Sequence, residues 1–275
     1  MIPVDAVDWI EIGVAAIAGL SALVAIDAIV ETVCVGLWWR RYLMALRRPE
    51  LISVIVTTYN WPEALTAVLR GLRDQEDRNF QVVVAEDGFD HRTRDVISQT
   101  HSHGLHVKHV RHEDQGFRLA EIRNRAMLAS EGEYLIFLDG DCIPRPSFVA
   151  AHRRIAEPGH FVVGNRVLLR EKMTQRVLSE NLAPEYRGVP YWFLMRWLRR
   201  CNRVAPMITL PLGPLRRNVK QSWQRAMGCN VGAWRADVER VNGVDSSFCG
   251  WGSRGQSSSL PPPQNSISSV VRRSA

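Results

Sequence analysis

From Leu51 to about Leu169 short apolar runs alternate with amphipathic stretches. "LISVIVTTY" is a β-rich run, and the Asn60-Trp61-Pro62 that follows is a turn able to start a helix. Ala64 to Leu72 then carries apolar residues at helical spacing, and "FQVVVAED" is a second apolar run that ends in acids. "RTRDVISQT" predicts a helix and "LHVKHVR" a strand. "LAEIRNRAMLAS" predicts a helix with Leu119, Ile122, Ala126 and Ala129 on one side. "EYLIFLDGD" predicts a strand ending in a turn. "RPSFVAAHRRIAEPG" predicts a helix stopped by Pro158-Gly159, and "HFVVGNRVLL" a further strand. Strands alternating with helices of about 10–15 residues imply an α/β domain, with a mainly parallel sheet covered by helices on both faces. Ligands of such sheets sit at the carboxyl ends of the strands. Here those ends are Thr57-Thr58-Tyr59-Asn60, Glu86-Asp87-Gly88 and Asp139-Gly140-Asp141.

Both ends of the chain depart from this pattern. Ile12 to Ile26 is an unbroken run of apolar and small residues, short for a membrane span of about 20 residues. Extending it to Trp39 brings in Asp27 and Glu31, and a carboxylate near a bilayer centre costs roughly 2.5–3.5 kcal/mol. Trp38-Trp39 would form an interfacial pair, and Arg40, Arg41, Arg47 and Arg48 follow on the side that should be cytoplasmic. The same residues also suit a soluble amphipathic helix, with Asp27 and Glu31 one turn apart on a wet face. Residues 1–50 are therefore a hydrophobic, membrane-anchoring segment or a peripheral helix, and 51–252 the α/β domain. After Gly252 the chain turns to Ser, Pro, Gln and Arg, and 253–275 is expected to be disordered.

Charge sharpens one region. The net charge is +7, yet residues 170–225 hold twelve Lys or Arg against three acids. That segment also carries "VPYWFLMRWLRRCNR", an aromatic and basic stretch suited to a membrane surface, a lipid-linked phosphorylated acceptor, or simply a core-packed helix with a charged outer face. A nucleic-acid partner has only charge behind it, because no zinc-finger or RNA-recognition motif is present. The five cysteines are scattered without a CxxC pair and predict reduced thiols. Five histidines between His101 and His112 lack a carboxylate or cysteine partner at metal-binding spacing, and predict a polar loop leading into a strand.

"YLIFLDGDC" holds the most informative chemistry. Asp139 and Asp141 stand two residues apart around a glycine, so in extended chain they point to the same side. Two anions so placed repel unless a cation lies between them, and hard divalent ions such as Mg²⁺ or Mn²⁺ take such oxygen ligands. A bare Asp-x-Asp is more often a solvated turn, but a second acidic pair, Glu86-Asp87, ends another strand. Between them Arg118 starts a helix, with Arg123 and Arg125 inside it. Arginine and a helix N-terminus both suit phosphate.

"SVIVTTYNWPEAL", "VVVAEDG", "QGFRLAEIRNRA", "YLIFLDGDCIPRPSFV" and "GCNVGAWRADVERVNGVDSSFCGWG" occur in this order. Together they resemble the inverting nucleotide-sugar glycosyltransferases of family two, which have the GT-A (Rossmann-like) fold. The resemblance runs from about Leu51 to Gly252 and is less typical over 170–225. It implies that Thr57, Tyr59 and Asn60 line the nucleotide pocket and that Glu86 and Asp87 hold the base and ribose. Arg118 and Arg123 would lie near the diphosphate or donor sugar. Asp139 and Asp141 would hold the sugar nucleotide and Mn²⁺ or Mg²⁺, Asp141 most directly on the metal. Asn230 and Trp251 would border donor sugar and acceptor. The implied donor is a nucleoside-diphosphate sugar, UDP-linked by expectation, and the acceptor a glycan or lipid-linked hydroxyl at the cytoplasmic face of a membrane.

The family's catalytic base is expected in a Gly-Trp-Gly-x-Glu-Asp pattern. Here Gly250-Trp251-Gly252 leads into Ser253-Arg254-Gly255-Gln256, so no catalytic residue is carried over. A change of reading frame would explain it: codons for Arg-Glu-Asp read one base early spell Ser-Arg-Gly-Gln. Two readings follow, a membrane-associated glycosyltransferase and a truncated, catalytically impaired relative that binds nucleotide sugar without efficient transfer.

Overall fold

The computed structural model describes residues 47–116, 118–208 and 228–244 in full, and 268–272 by their backbone. The chain divides into two units, Met1–Arg47 and Arg48–Ala275. Of the first only Arg47 is described, so the hydrophobic stretch at 12–39 lies outside the described residues. Among the described residues no helix is long and apolar enough to cross a membrane.

The second unit is an α/β layer structure. Its strands are β1 (Ile52–Thr58), β2 (Phe80–Asp87), β3 (Val107–His112), β4 (Tyr134–Asp139), β5 (His160–Val163), β6 (Asn230–Trp234) and β7 (Ser268–Arg272). They form one sheet in the order β3-β2-β1-β4-β6-β5-β7. The first four are mutually parallel, whereas β6 runs antiparallel to both β4 and β5. The sheet is therefore mixed, with β6 the reversed strand. That reversal brings the start of β6 to the same edge as the ends of β1 and β4.

The helices are α1 (Pro62–Arg73), α2 (His91–Ser102), α3 (Leu119–Ala129), α4 (Phe148–Ile155), α5 (Glu171–Ser179), α6 (Val189–Trp197) and α7 (Arg235–Arg240). Local chemistry sets several starts. Pro62 opens α1, where its missing N–H costs nothing, with Glu63 in the first turn and Arg70 and Arg73 in the last. Asp90 caps α2 by accepting a hydrogen bond from the Arg92 backbone N–H at 2.9 Å.

Strand side chains alternate between faces, so each central strand feeds two cores. Ile52, Val54, Val56, Val82, Val84 and Ile136 pack on one side with Leu65, Val68, Leu69 and Leu72 of α1 and Phe148 and Val149 of α4. Ile55, Val83, Ala85, Leu135 and Phe137 pack on the other with Ile122, Ala126 and Met127 of α3 and Val238 of α7. A third cluster stands apart, built by Met173 and Val177 of α5, Trp192 and Met195 of α6, and Cys201, Val204 and Met207. Thus the basic segment 170–208 carries a small core of its own.

Two predicted elements come out differently. The strand over "HFVVGNRVLL" ends at Val163. Beyond it the chain leaves the sheet: Asn165 accepts from the Arg203 guanidinium at 2.7 Å, and Leu169 bridges Cys201. In the tail expected to be disordered, Ser268–Arg272 pairs parallel with β5. "SSVVR" supplies β-branched residues, and β5 leaves an edge to pair with. The rest of that tail lies outside the described residues.

Candidate active site

The site lies where β1, β2 and β4 end and β6 begins. Register places Thr57 opposite Asp139, Thr58 opposite Glu86, and Leu138 opposite Asn230. Gly140 separates the two aspartates for a steric reason. Its N–H donates to the Thr57 carbonyl at 2.7 Å, and a Cβ there would stand 2.7 Å from that same oxygen. Any larger residue would push the acidic turn away from β1.

Asp139 and Asp141 have different partners. Asp139 Oδ1 accepts from the buried Arg123 guanidinium at 2.9 Å and from Thr57 Oγ1 at 3.5 Å, and Arg166 stands 3.9 Å from Oδ2. Arg123 also donates to the Gly228 carbonyl at 3.0 Å. Burial pushes the Asp139 carboxyl up, Arg123 opposes that shift, and the Asp141 charge adds to it. Asp141 is exposed and accepts from the Cys142 thiol at 3.3 Å. It lines a cavity of about 270 Å³ together with Trp61, Asn165, Arg166, Leu168, Trp192 and Asn230.

The donor set around this turn fits one hard dication at Asp141. Its carboxylate is exposed on the cavity wall, whereas the charge of Asp139 is already matched by arginine. Cys142 Sγ and Cys229 Sγ lie within 4.8 Å of each other and of an Asp139 oxygen. The hydrogen bond between the two cysteines, and burial, push the Cys142 thiol up, while the same hydrogen bond pushes Cys229 down. Among the described residues Cys142, Cys201 and Cys229 form no disulfide.

Asn230 is buried at the start of β6. Its Oδ1 accepts from His152 Nε2 at 3.0 Å. His152 on α4 is fully enclosed, and burial pulls its pKa down from 6.5 to about 4. It is thus a neutral donor that holds the Asn230 amide in place.

The second acidic pair forms another buried cluster. Asp87 Oδ1 accepts from His112 Nε2 at 2.6 Å, and Oδ2 from the Arg118 backbone N–H at 2.8 Å. Glu86 accepts from His109 Nε2 at 2.8 Å and from the Asp90 backbone N–H at 2.9 Å. Arg118 is the N-cap of α3, and its guanidinium binds Glu121 at 3.0 Å and the Glu113 carbonyl at 2.6 Å. Tyr59 is exposed, its hydroxyl 3.4 Å from Asp114, and Asn60 takes a left-handed turn with φ 46°. A second cavity of about 580 Å³ opens beside this cluster, lined by Phe89, Arg111, His112, Gln115, Arg118 and Arg125.

The expected residues therefore fall into two groups. Asp141 and Asn230 line the first cavity, and Thr57 and Arg123 bond to Asp139 in the same turn. Arg118 lines the second, its backbone N–H bonded to Asp87 next to Glu86, whereas Tyr59 and Asn60 line neither cavity. Trp251 lies outside the described residues. Sequence reasoning missed His109, His112 and Arg166. The strand predicted over "LHVKHVR" already held His109; what was overlooked is that His109 reaches Glu86 and that the register sets His112 directly across from Asp87. Acids ending one strand and histidines ending the next were the available signal. Arg166 lies after β5 with no local motif, so only the fold brings it to Asp139.

An open α/β sheet with acids at its carboxyl edge, carried by "DGD" and "EDG" turns, matches the layout that the resemblance implied. A family model for glycosyl transferase family 2 matches residues 53–212, and the chain belongs to that family. Validoxylamine A glucosyltransferase of Streptomyces hygroscopicus subsp. jinggangensis is 30% identical over 216 residues, which is 74% of this chain and 49% of that protein. Chondroitin synthase of Escherichia coli is 30% identical over 105 residues, covering 38% of this chain and 15% of that protein. Among solved structures, the mannosyltransferase PcManGT from Pyrobaculum calidifontis, in complex with GDP-Man and Mn²⁺, superposes with a TM-score of 0.50 at 18% identity. The match covers 82% of this chain and 57% of that one, and shows the shared fold. The chain spans about half the length of the curated glucosyltransferases it matches.

Proposed function

We propose that the chain binds a nucleoside-diphosphate sugar, UDP-linked, along the carboxyl edge of the sheet and transfers the sugar with inversion to a hydroxyl of a glycan or lipid-linked acceptor. The observation that carries this reading is the pairing of the two acidic turns in one plane of the sheet, Glu86-Asp87 on β2 and Asp139-Gly140-Asp141 on β4, with β1 between them. The base and ribose go to the Glu86/Asp87 side, whose carboxylates are held in fixed orientation by His109, His112 and the Arg118 backbone. The sugar goes to the first cavity, where Asp141, Arg166 and Asn230 offer both acceptors and donors to hydroxyl groups.

The reaction is a single displacement. The acceptor oxygen forms a bond to the anomeric carbon, the bond from that carbon to the diphosphate oxygen breaks, and the acceptor proton leaves to a base. Asp141, beside Asp139, would hold Mg²⁺ or Mn²⁺, which when bound neutralises the departing diphosphate. The protein's own residues orient the donor: Arg123 fixes Asp139, and His152 fixes Asn230. Their positions are set by packing before ligand arrives, so little ordering is left for the reacting complex.

A second reading is favoured by one sequence observation. Ser253-Arg254-Gly255-Gln256 stands where the family resemblance leads one to expect Glu-Asp, which supports donor binding without efficient transfer. Calorimetric titration of UDP-sugars with Mn²⁺ tests donor binding, and no heat with any nucleotide sugar would sink both readings. Release of UDP or sugar transfer, followed by chromatography, separates them. Detectable transfer removes the second reading, and saturable binding without turnover removes the first.

A further inference from the structure

Helix α6 presents two unlike faces. Trp192 and Met195, three residues apart, are buried in the small third core. Away from it Trp197 is 78% exposed, Phe193 56%, Leu194 49% and Leu198 42%. Phe193 with Trp197, and Leu194 with the C-cap Leu198, are each one turn apart, so the two pairs stack into one apolar face at the end of the helix. Four large apolar side chains in six positions are more than the scattered exposed residues of an ordinary surface.

Basic side chains dominate the edge of the ridge, with exposed Glu171 and Glu180 on the neighbouring α5. Arg196, Arg199 and Arg200 are exposed beside it, and from Tyr186 to Val204 there is no acid. Arg170 joins from the neighbouring segment, its backbone N–H donating to the Arg200 carbonyl at 2.9 Å. Leu168, also exposed, exchanges hydrogen bonds with Asn202 at 2.9 and 3.0 Å, which sets it at the foot of the same face. Leu168 and Trp192 both line the first cavity. Helix α6 therefore supplies part of the wall of that cavity through Trp192 and carries the ridge on its other face.

We propose that this face of α6 is a docking surface for an anionic lipid bilayer, with Phe193, Leu194, Trp197 and Leu198 entering the interface and Arg196, Arg199 and Arg200 binding lipid phosphates. Charge selects this occupant. A second copy would set arginine against arginine, whereas anionic headgroups complement the arginines of the rim. Tryptophan suits the boundary, since its ring buries while its N–H stays near water. The surface deepens the proposed function and rests on it, because the helix that would meet the bilayer also walls the first cavity and would keep a lipid-linked acceptor near it. Lipid binding is measured apart from transfer, so the failure of one is told apart from the failure of the other.

Because residues 12–39 are themselves hydrophobic, the test uses the full chain with a readout local to α6. Wild type and Trp197→Phe are mixed with vesicles of phosphatidylcholine and phosphatidylglycerol carrying brominated acyl chains, and tryptophan quenching is compared. The difference between the two proteins reports Trp197 alone. Quenching of Trp197 in anionic vesicles, and much less in pure phosphatidylcholine, is expected. The triple change Arg196→Gln, Arg199→Gln, Arg200→Gln should abolish that local quenching and weaken any co-sedimentation driven by this face by on the order of a hundredfold. Unchanged thermal melting of the variants confirms that they fold. Equal quenching of wild type and Trp197→Phe overturns the proposal. So does a concentration-dependent dimer that Phe193→Ser with Trp197→Ser dissolves while vesicles leave Trp197 unquenched, since the ridge would then be a contact between copies.

Discussion

At the ends of β2 and β4 the buried acids are matched by cations or N–H donors before any ligand is present, whereas the outer face of α6 leaves four large apolar side chains to solvent. Asp139 has Arg123, Asp87 has His112 and the Arg118 N–H, and Glu86 has His109. On α6 only the inward side chains are satisfied, in a core of a few residues. The contrast fits the two partners proposed above. A nucleotide sugar is small and polar and rewards fixed dipoles. A large fluid partner rewards area and charge, with little need for precise placement. Stability should therefore reside in the first region and be nearly indifferent to the second.

The sharpest way to break this contrast is at Arg123. Arg123→Met leaves Asp139 partly buried beside Asp141 with its guanidinium gone. Losing one partner of such a pair costs about 3–5 kcal/mol, toward the low end here because Asp139 keeps some solvent. Urea unfolding would measure it, and a change below about 1 kcal/mol would mean that Arg166 alone can balance the turn.

His152 gives the next effect, through pH. Its folded pKa of about 4 lies below the ordinary 6.5, so the unfolded chain binds the extra proton between these values. The stabilisation is fully present above pH 6.5 and is lost as pH falls toward 4, by roughly 3 kcal/mol in all. Urea midpoints across that range should drop in the native protein. In His152→Gln this contribution to the slope should vanish, while a persistent slope of equal size would assign it elsewhere.

Asp141 should show a smaller and different loss. Asp141→Asn is expected to weaken Mn²⁺-dependent donor binding at least about tenfold in calorimetry. Because the carboxylate is exposed, urea stability should stay within about 0.5 kcal/mol. If Asp139→Asn lowered metal dependence more than Asp141→Asn, the division of labour between the two aspartates would be reversed. The smallest effect is expected on the opposite side. Trp197→Ser should change stability by no more than about 0.5 kcal/mol, and a larger loss would show that the ridge is packed in solution.

Much of the donor side was legible because it is local. The alternation of "LISVIVTTY", "FQVVVAED" and "YLIFLDGD" with amphipathic stretches gave the strands, their order of use and the acids at their ends. The aromatic, basic stretch near Trp197 was also visible, but its spacing did not say which side chains turn inward. What stayed hidden depends on strand order. β6 reverses direction between β4 and β5, so a mainly parallel reading missed how Asn230 arrives beside Leu138. The histidines of β3 carried no local signal of their role because their partners lie on β2, 23 and 25 residues away in the chain.

The sequence alone determined which chemistry the chain carries: apolar runs that must be buried, acids placed where those runs end, and the family these motifs define. Only the tertiary structure decided which of those acids stands exposed. Asp139 and Asp141 are near neighbours in sequence and look equivalent there. Arg123 on α3 and Arg166 beyond β5 reach Asp139 through the fold and balance its charge, while Asp141 remains on the cavity wall. Pairing across a sheet depends on register and on packing of distant elements, and neither is written in the spacing of a local motif.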